Sequence, residues 1–248
     1  MKITTYHYEV PYTIALLSDL HNRPFEAIIK QTSDLRPDII GITGDVINGH
    51  RYKDKRLIVE QQDYVLPFLR ACAQTAPTFF SYGNHEWMLS HEDERMIAKS
   101  GVVILNNTFV KFGKMYIGGL TSGRKTCYER TYPIRECYHK NTEKNFPPDI
   151  TWLNDFERLD GYKLLLCHHP EYRDQYLSGL NIDLVLSGHC HGGQIRIFDR
   201  GLFAPGQGWL PKQTKGVFGN MIISAGLSNT GGVVPRLFNP CEIVLIKP

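Results

Sequence analysis

The chain has 248 residues, of which 42% are hydrophobic and 21% are charged. These proportions are typical of a folded globular protein and exclude a chain dominated by disorder. The formal net charge of +3 is compatible with an anionic substrate but is too small to indicate nucleic-acid binding by itself. Length and composition therefore predict a single folded domain over residues 1–248 with a sizeable core.

Cysteine usage and hydropathy indicate the cellular compartment. The six cysteines are Cys72, Cys127, Cys137, Cys167, Cys190 and Cys241, and none belongs to a Cys-x-x-Cys pair. This scatter favours reduced thiols in a cytoplasmic protein over a disulfide framework or a zinc knuckle. Residues 1–12 contain charged side chains and do not form a signal peptide. No stretch approaches the ~20 apolar residues of a membrane span, although peripheral membrane contact stays open.

The first hundred residues predict an alternation of strands and helices. Short apolar runs predict buried strands over residues 13–18, 38–43 and 77–82. Helical spacing predicts helices over residues 24–35, 57–73 and 91–100. Pro24 suits a first helical turn, and Gly101 follows the third helix as a stop signal. The alternation predicts an α/β protein.

The second part of the chain predicts a mixed sheet. Successive short strands are expected over residues 102–105, 108–112 and 115–119, followed by a polar segment at 121–148. Helices at 150–159 and 171–177 alternate with strands at 162–167 and 182–187. A loop rich in glycine and proline spans 201–219, and strands follow at 220–224 and 242–246.

Five short polar motifs each follow a predicted strand. They are Ser18-Asp19-Leu20-His21, Gly44-Asp45, Gly83-Asn84-His85-Glu86, Cys167-His168-His169-Pro170 and Gly188-His189-Cys190-His191-Gly192. Loops at strand ends hold side chains on a rigid scaffold while exposing them to substrate. Each motif alone is a weak signal. Together they predict a hydrolytic site with two divalent cations ~3.5–4 Å apart, bridged by a carboxylate and completed by imidazole and oxygen ligands.

As a set, the motifs resemble the calcineurin-like metallophosphoesterase superfamily over residues 18–192. The resemblance implies an α/β fold, a four-layer α/β/β/α sandwich with two mixed β-sheets. It also implies a metal-dependent phosphoesterase that hydrolyses a phosphodiester, diphosphate or phosphomonoester bond by a metal-bridging hydroxide. The segment 188–194 is similar to a bacterial branch related to membrane-anchored phosphodiesterases and lipid-linked sugar-nucleotide hydrolases. Here the chain is expected to start at the catalytic domain, without the anchor.

The resemblance also implies a role for individual residues. One metal would be bound by Asp19, His21 and His191, the other by Asn84, His168 and His189, and Asp45 would bridge the two. The two divalent ions would be manganese, iron or zinc, alone or mixed. His85 would be the catalytic residue that donates a proton to the leaving oxygen or stabilises charge on the phosphate.

Three residues of these motifs admit more than one role. His168 and His169 compete for one ligand position, and the His-x-Pro pattern of the superfamily favours His168. His169 would then orient the ligands or the phosphate. Cys190 alternates with two ligand histidines, so its thiol is expected to face away from the metals, buried and inert.

Two segments are candidates for substrate selection. Residues 121–144 include Arg124 and Arg130 among several tyrosines, and such side chains suit a phosphate and a base or sugar; the alternative is a solvated loop. Residues 203–218 predict a loop or lid beside the metals.

The expected partner is a phosphorylated small molecule or phosphodiester, with no obligatory nucleic acid. Two competing hypotheses are a non-catalytic metal-binding scaffold of the same fold and a nuclease, which would need a more basic surface.

Overall fold

The structure is a computed structural model that describes residues 1–48, 50–51, 57–125, 128–129, 144–204, 207–229 and 235–248. Two six-stranded sheets, each containing parallel and antiparallel pairs, form its centre. Among the helices of the described ranges, none has the length and apolar character needed to cross a bilayer.

The first sheet carries the N-terminal motifs. Numbered along the chain, its strands are β1 (Lys2–His7), β2 (Ile14–Leu17), β3 (Ile39–Thr43), β4 (Thr78–Ser81), β5 (Val103–Leu105) and β12 (Glu242–Lys247). Their spatial order is β1-β12-β2-β3-β4-β5. The four strands from β2 to β5 are parallel, and β12 runs antiparallel to β2.

The second sheet carries the C-terminal motifs. Its strands are β6 (Thr108–Phe112), β7 (Met115–Leu120), β8 (Tyr162–Cys167), β9 (Leu184–Ser187), β10 (Gly216–Phe218) and β11 (Met221–Ile223). Their spatial order is β10-β11-β9-β8-β7-β6. The inner strands β7, β8, β9 and β11 are parallel, and the two edge strands are antiparallel to their neighbours.

Helices cover the outer face of each sheet. Helices α1 (Glu26–Asp34), α2 (Val65–Thr75) and α3 (His91–Lys99) lie on the first sheet, while α4 (Leu153–Glu157) and a π-helical turn (Arg173–Leu177) lie on the second. Helix α3 begins with a capping box, in which the Ser90 hydroxyl accepts from the Asp93 backbone N–H and the Asp93 carboxylate accepts from the Ser90 backbone N–H.

Alternation along the strands produces three separate cores. Leu17 faces the helices of the first sheet and packs in one cluster with Phe68. Its neighbour Leu16 points the other way and shares the core between the sheets with Leu166. Leu165 points outward into the third core, under α4. Burying such a side chain contributes ~1.5–3 kcal/mol. Three cores separate four layers, which confirms the predicted α/β/β/α sandwich with two mixed sheets.

Most predicted elements are present within a few residues of their expected bounds. The segment 57–73 differs, because it divides into a short 3-10 turn (Val59–Gln61) and helix α2. Gln62 makes the break: its side chain accepts from the Asn48 N–H and donates to the Asn48 carbonyl while its backbone is extended. Strand β1 was not predicted, because its alternately exposed side chains lie at a sheet edge.

Candidate metal centre

All five polar motifs lie at the carboxyl ends of parallel strands. The three N-terminal motifs follow β2, β3 and β4 of the first sheet, and the two C-terminal motifs follow β8 and β9 of the second. Parallel strands end at a common edge, which is where open α/β sheets place their ligand sites. The structure brings the two edges together, so all the predicted metal ligands and His85 occupy one buried cluster.

Asp45 lies at the centre of this cluster. Its Oδ2 atom is 3.1 Å from Nε2 of His168 and 3.7 Å from Nε2 of both His21 and His85. The carboxylate therefore lies close to imidazoles from three different loops. No other described carboxylate is within 4.0 Å of three imidazoles. This is the position that a bridging carboxylate requires.

Two ligand groups flank Asp45. On one side, Oδ1 of Asp19 is 3.9 Å from Nε2 of His21 and 3.7 Å from Nε2 of His191. The opposite group is built around Nε2 of His168, which is 3.0 Å from Oδ1 of Asn84 and 3.2 Å from Nδ1 of His189. Within each His-carboxylate group the potential ligand atoms lie within 4.8 Å of one another.

Left-handed backbone conformations direct many of these side chains inward. The residues with positive φ are Asp19 (58°), His21 (50°), Asp45 (54°), His189 (68°) and His191 (46°). Such conformations in residues other than glycine cost roughly 1–3 kcal/mol each and persist only when the surroundings hold them. Here the loops hold each other, because the Asp19 N–H donates to the Gly44 carbonyl and the His21 N–H to the Asp45 carbonyl.

Glu86 holds two of the ligand loops together, a role that the sequence analysis missed. One carboxylate oxygen accepts from the backbone N–H groups of Asp45 and Gly83 at 2.9 Å. The other accepts from Val46 at 2.9 Å and Ile47 at 3.2 Å. Burial and the neighbouring Asp45 raise the pKa of Glu86 to about 7, although the hydrogen bonds from backbone N–H groups act to lower it. The signal was available in the motif Gly83-Asn84-His85-Glu86, whose last residue had no assigned role.

Two glycines allow the ligand loops to approach each other. A Cβ atom on Gly83 would overlap Oδ1 of Asp45, and one on Gly188 would overlap Oγ of Ser18. Either side chain would displace a ligand or the strand end that carries it. The glycines in these motifs are therefore required by close packing around the carboxylates.

The protonation states suit a cationic occupant. Burial, followed by the neighbouring His85, lowers the pKa of His21 well below its usual value, and both of its buried ring nitrogens are without a hydrogen-bond partner among the described residues. Burial acts to raise the pKa of Asp45, but His168 and His85 hold it well below its usual range. Burial also lowers the pKa values of His189 and His191. Burial acts to lower the pKa of His168 too, but Asp45 raises it to about 10, so a cation at this position would replace the His168 proton. Neutral imidazoles and an ionised carboxylate are what divalent manganese, iron or zinc binds, and with that proton displaced the donor set fits divalent metal ions.

The structure also places the other residues that the sequence singled out. His168 contacts Asp45, whereas His169 has its Nε2 atom 2.6 Å from Oγ of Ser122. Cys190 is buried, and burial raises the pKa of its thiol. The Arg124 side chain is only 13% exposed, and its Nη2 atom is 2.8 Å from Oε1 of Glu171. Arg130 lies outside the described residues.

The loop after the His-x-His motif packs on the ligand loop. The Leu202 N–H donates to the Gly193 carbonyl, and Nε2 of Gln207 donates to Sγ of Cys190. Short strand pairs order this region: Arg196–Ile197 with Arg200–Gly201, and Phe203–Ala204 with Gly208–Trp209. The Trp209 side chain, which lies opposite Phe203 in the second pair, is 73% exposed.

Comparisons with known proteins find relatives that are named as phosphoesterases. The Caenorhabditis elegans protein F40B5.2, provisionally named a metallophosphoesterase, is 28% identical over 94% of this chain and 48% of its own length. Phosphodiesterase YaeI of Escherichia coli is 26% identical over 75% of this chain and 63% of its own. An uncharacterized metallophosphoesterase of Aquifex aeolicus is 25% identical over 92% of this chain and 82% of its own.

A solved structure and a family profile complete the comparison. The crystal structure of the protein TT1561 of Thermus thermophilus aligns with 71% of this chain and 81% of its own, with a TM-score of 0.46 and 16% identity. This chain spans about half to two thirds of the length of the first curated relatives it matches. The profile of the calcineurin-like phosphoesterase family matches residues 12–193, and the chain therefore belongs to that family.

Proposed function

We propose that this chain hydrolyses a phosphodiester, diphosphate or phosphomonoester bond at a dinuclear metal centre. The observation that supports it most directly is the position of Asp45, whose carboxylate lies between two groups of buried histidine and carboxylate ligands. A complete set of this kind has no evident role in stabilising the fold, because burying so many ionisable groups is unfavourable without a cation to pair them.

The ligands divide into two sets around the shared carboxylate. Asp19, His21 and His191 would hold one ion, and Asn84, His168 and His189 the other. When bound, the ions would supply charge stabilisation for the phosphate and an activated water. His85 would act from beside the centre, since its Nε2 atom is 3.7 Å from Oδ2 of Asp45 and only 5% of the residue is exposed. Its role would be to protonate the leaving oxygen or to stabilise charge on the phosphate.

The substrate class is proposed from the relatives and the site together. The Escherichia coli relative is named a phosphodiesterase, so a diester is the first substrate to test. The modest net charge of +3 gives no support for a long polyanion, which argues against a nuclease.

The test measures metal content and hydrolysis in the same samples. Wild-type protein loaded with Mn²⁺ is assayed on bis-nitrophenyl phosphate and nitrophenyl phosphate beside Asp45→Ala. We expect two equivalents of metal in the wild type and a loss of roughly 10²-fold or more in rate for Asp45→Ala, because a metal contributes several kcal/mol to charge stabilisation.

The matched control is Asp34→Ala, which removes a carboxylate whose side chain is 65% exposed on helix α1. It should retain both metal content and rate. Equal rates for wild type and Asp45→Ala would refute the proposal. Two bound metals with no turnover of either phosphoester would favour the non-catalytic scaffold instead.

A further inference from the structure

A second group of polar side chains lies next to His189. We call it the Glu171 cluster, and it consists of Ser122, Arg124, His169 and Glu171. His169 is fully buried, and the side chains of Arg124 and Glu171 are 13% and 11% exposed. The ring centroids of His169 and His189 are 4.2 Å apart. The potential ligand atoms of His169, Glu171 and His189 lie within 4.8 Å of one another.

The two ring nitrogens of His189 have different surroundings. Its Nδ1 atom is 3.2 Å from Nε2 of His168, on the side of the metal centre. Its Nε2 atom is buried and has no hydrogen-bond partner in the described part of the chain. A neutral imidazole that offers Nδ1 to a metal carries its proton on Nε2, and that proton requires an acceptor.

Glu171 is the carboxylate available to accept it. Both of its oxygens are buried and satisfy no hydrogen-bond geometry with another described residue. We propose that Glu171 is a positioning residue, which accepts the Nε2 proton of His189 and so holds Nδ1 toward the metal centre. Carboxylates commonly orient metal-binding histidines in this way. This inference rests on the proposed dinuclear centre, because it assigns Glu171 a role only through His189.

The rest of the Glu171 cluster keeps the carboxylate in place. Nη2 of Arg124 is 2.8 Å from Oε1 of Glu171, an ion pair that restrains the position of the carboxylate. Nδ1 of His169 is 3.5 Å from the same oxygen, while Nε2 of His169 is hydrogen-bonded to Oγ of Ser122. Arg124, from the segment after β7, and His169, from the same loop as Glu171, therefore flank the carboxylate.

A third metal ion is the alternative occupant of this position. The geometry of His169, Glu171 and His189 would admit a cation. Arg124 argues against one, because its guanidinium already pairs with the carboxylate and would repel a second positive charge close by. The pairing favours a proton acceptor over a metal ligand.

Calorimetric titration of the metal-free protein with Mn²⁺ tests the inference. The variants are Glu171→Gln, which keeps the shape of the side chain, and the double variant Glu171→Met with Arg124→Met, which leaves no buried charge unpaired. The control is Asp174→Asn, at a side chain 62% exposed three residues along the chain. We expect two binding steps in every protein, with one step weakened by about 10–100-fold in both Glu171 variants and neither step changed in the control.

Asp45→Asn, titrated in parallel, distinguishes failure of the Glu171 role from failure of the proposed metal centre. If Asp45→Asn loses binding while both Glu171 variants bind Mn²⁺ as tightly as the wild type, the role of Glu171 is refuted and the metal centre stands. If Asp45→Asn binds two ions as tightly as the wild type, the proposed centre itself is refuted. Three equivalents in the wild type and two in Glu171→Gln would overturn the inference in favour of a third metal.

Discussion

Replacement of Glu86 by Gln should destabilise the protein even without metal. The Glu86 carboxylate accepts four backbone N–H groups, two on each oxygen, from the loops that carry Asp45 and Asn84. Glutamine offers one carbonyl oxygen, so two of the four N–H groups would face an NH₂ group instead of an acceptor. A buried polar group left without its partner costs ~1–3 kcal/mol, which gives a loss of about 2–6 kcal/mol.

The measurement is urea unfolding at pH 8 in the presence of a chelator, so that metal binding does not contribute. The control is Glu60→Gln, at an exposed position on the 3-10 turn, which should change the unfolding free energy by less than about 0.5 kcal/mol. If the free energy of unfolding of Glu86→Gln lay within about 1 kcal/mol of the wild type, the four N–H groups would have other acceptors and the reasoning would be refuted.

Three further predictions concern the site. His85→Asn should lower kcat by ~10²–10⁴-fold on an alkyl phosphoester but much less on a nitrophenyl ester, whose leaving group needs no proton, with unchanged metal content by mass spectrometry. Gly83→Ala should weaken Mn²⁺ binding at least about tenfold in calorimetry by displacing the Asp45 carboxylate. Gly179→Ala should not, because, although its left-handed backbone (φ 85°) is strained by a side chain, its Cβ would meet no atom within 4 Å. Burial raises the pKa of the Cys190 thiol, so iodoacetamide at pH 8 should label Cys190 only after the protein unfolds. The half-buried Cys241 should react before Cys190 does. Labelling of native Cys190 at the rate of Cys241 would contradict this prediction.

The fold was predictable where local pattern and tertiary environment agree. The runs that became β2, β3 and β8 are apolar at nearly every position, because strands with a core on both faces must be, and short apolar runs bounded by polar motifs identify such strands. Strand β1 carries no such signal, since its position depends on pairing with β12 at the other end of the chain. Helix α2 begins later than predicted because the Gln62 side chain binds the backbone of Asn48.

The candidate site was predictable as a set of residues but not as a geometry. The histidines and carboxylates follow strands, and the ends of parallel strands meet, so their convergence could be expected from the sequence. The left-handed conformations of Asp19, Asp45 and His189 could not, because Asp and His adopt this region only in a minority of cases and contacts between loops maintain it here. The partners of Glu86 and Glu171 were hidden for the same reason, since each carboxylate contacts residues that are distant in sequence.

Glu86 and Glu171 are assigned to different parts of the site, and the free energy of unfolding measured with and without metal distinguishes their roles. Glu86 binds backbone N–H groups and holds the loops, so its loss should lower the unfolding free energy with or without metal. Glu171 lies beside a candidate ligand imidazole and pairs with Arg124, so Glu171→Gln alone would also leave a buried charge unpaired. The double variant Glu171→Met with Arg124→Met removes both charges, and its loss of stability should appear mainly when metal is present. Bound metal stabilises the folded state by RT ln(1 + [L]/Kd), and a Kd raised 10–100-fold removes about 1.4–2.7 kcal/mol of that term at saturating Mn²⁺. A metal-dependent loss in the double variant beside a metal-independent loss in Glu86→Gln would therefore separate the orientation of a ligand from the order of its backbone.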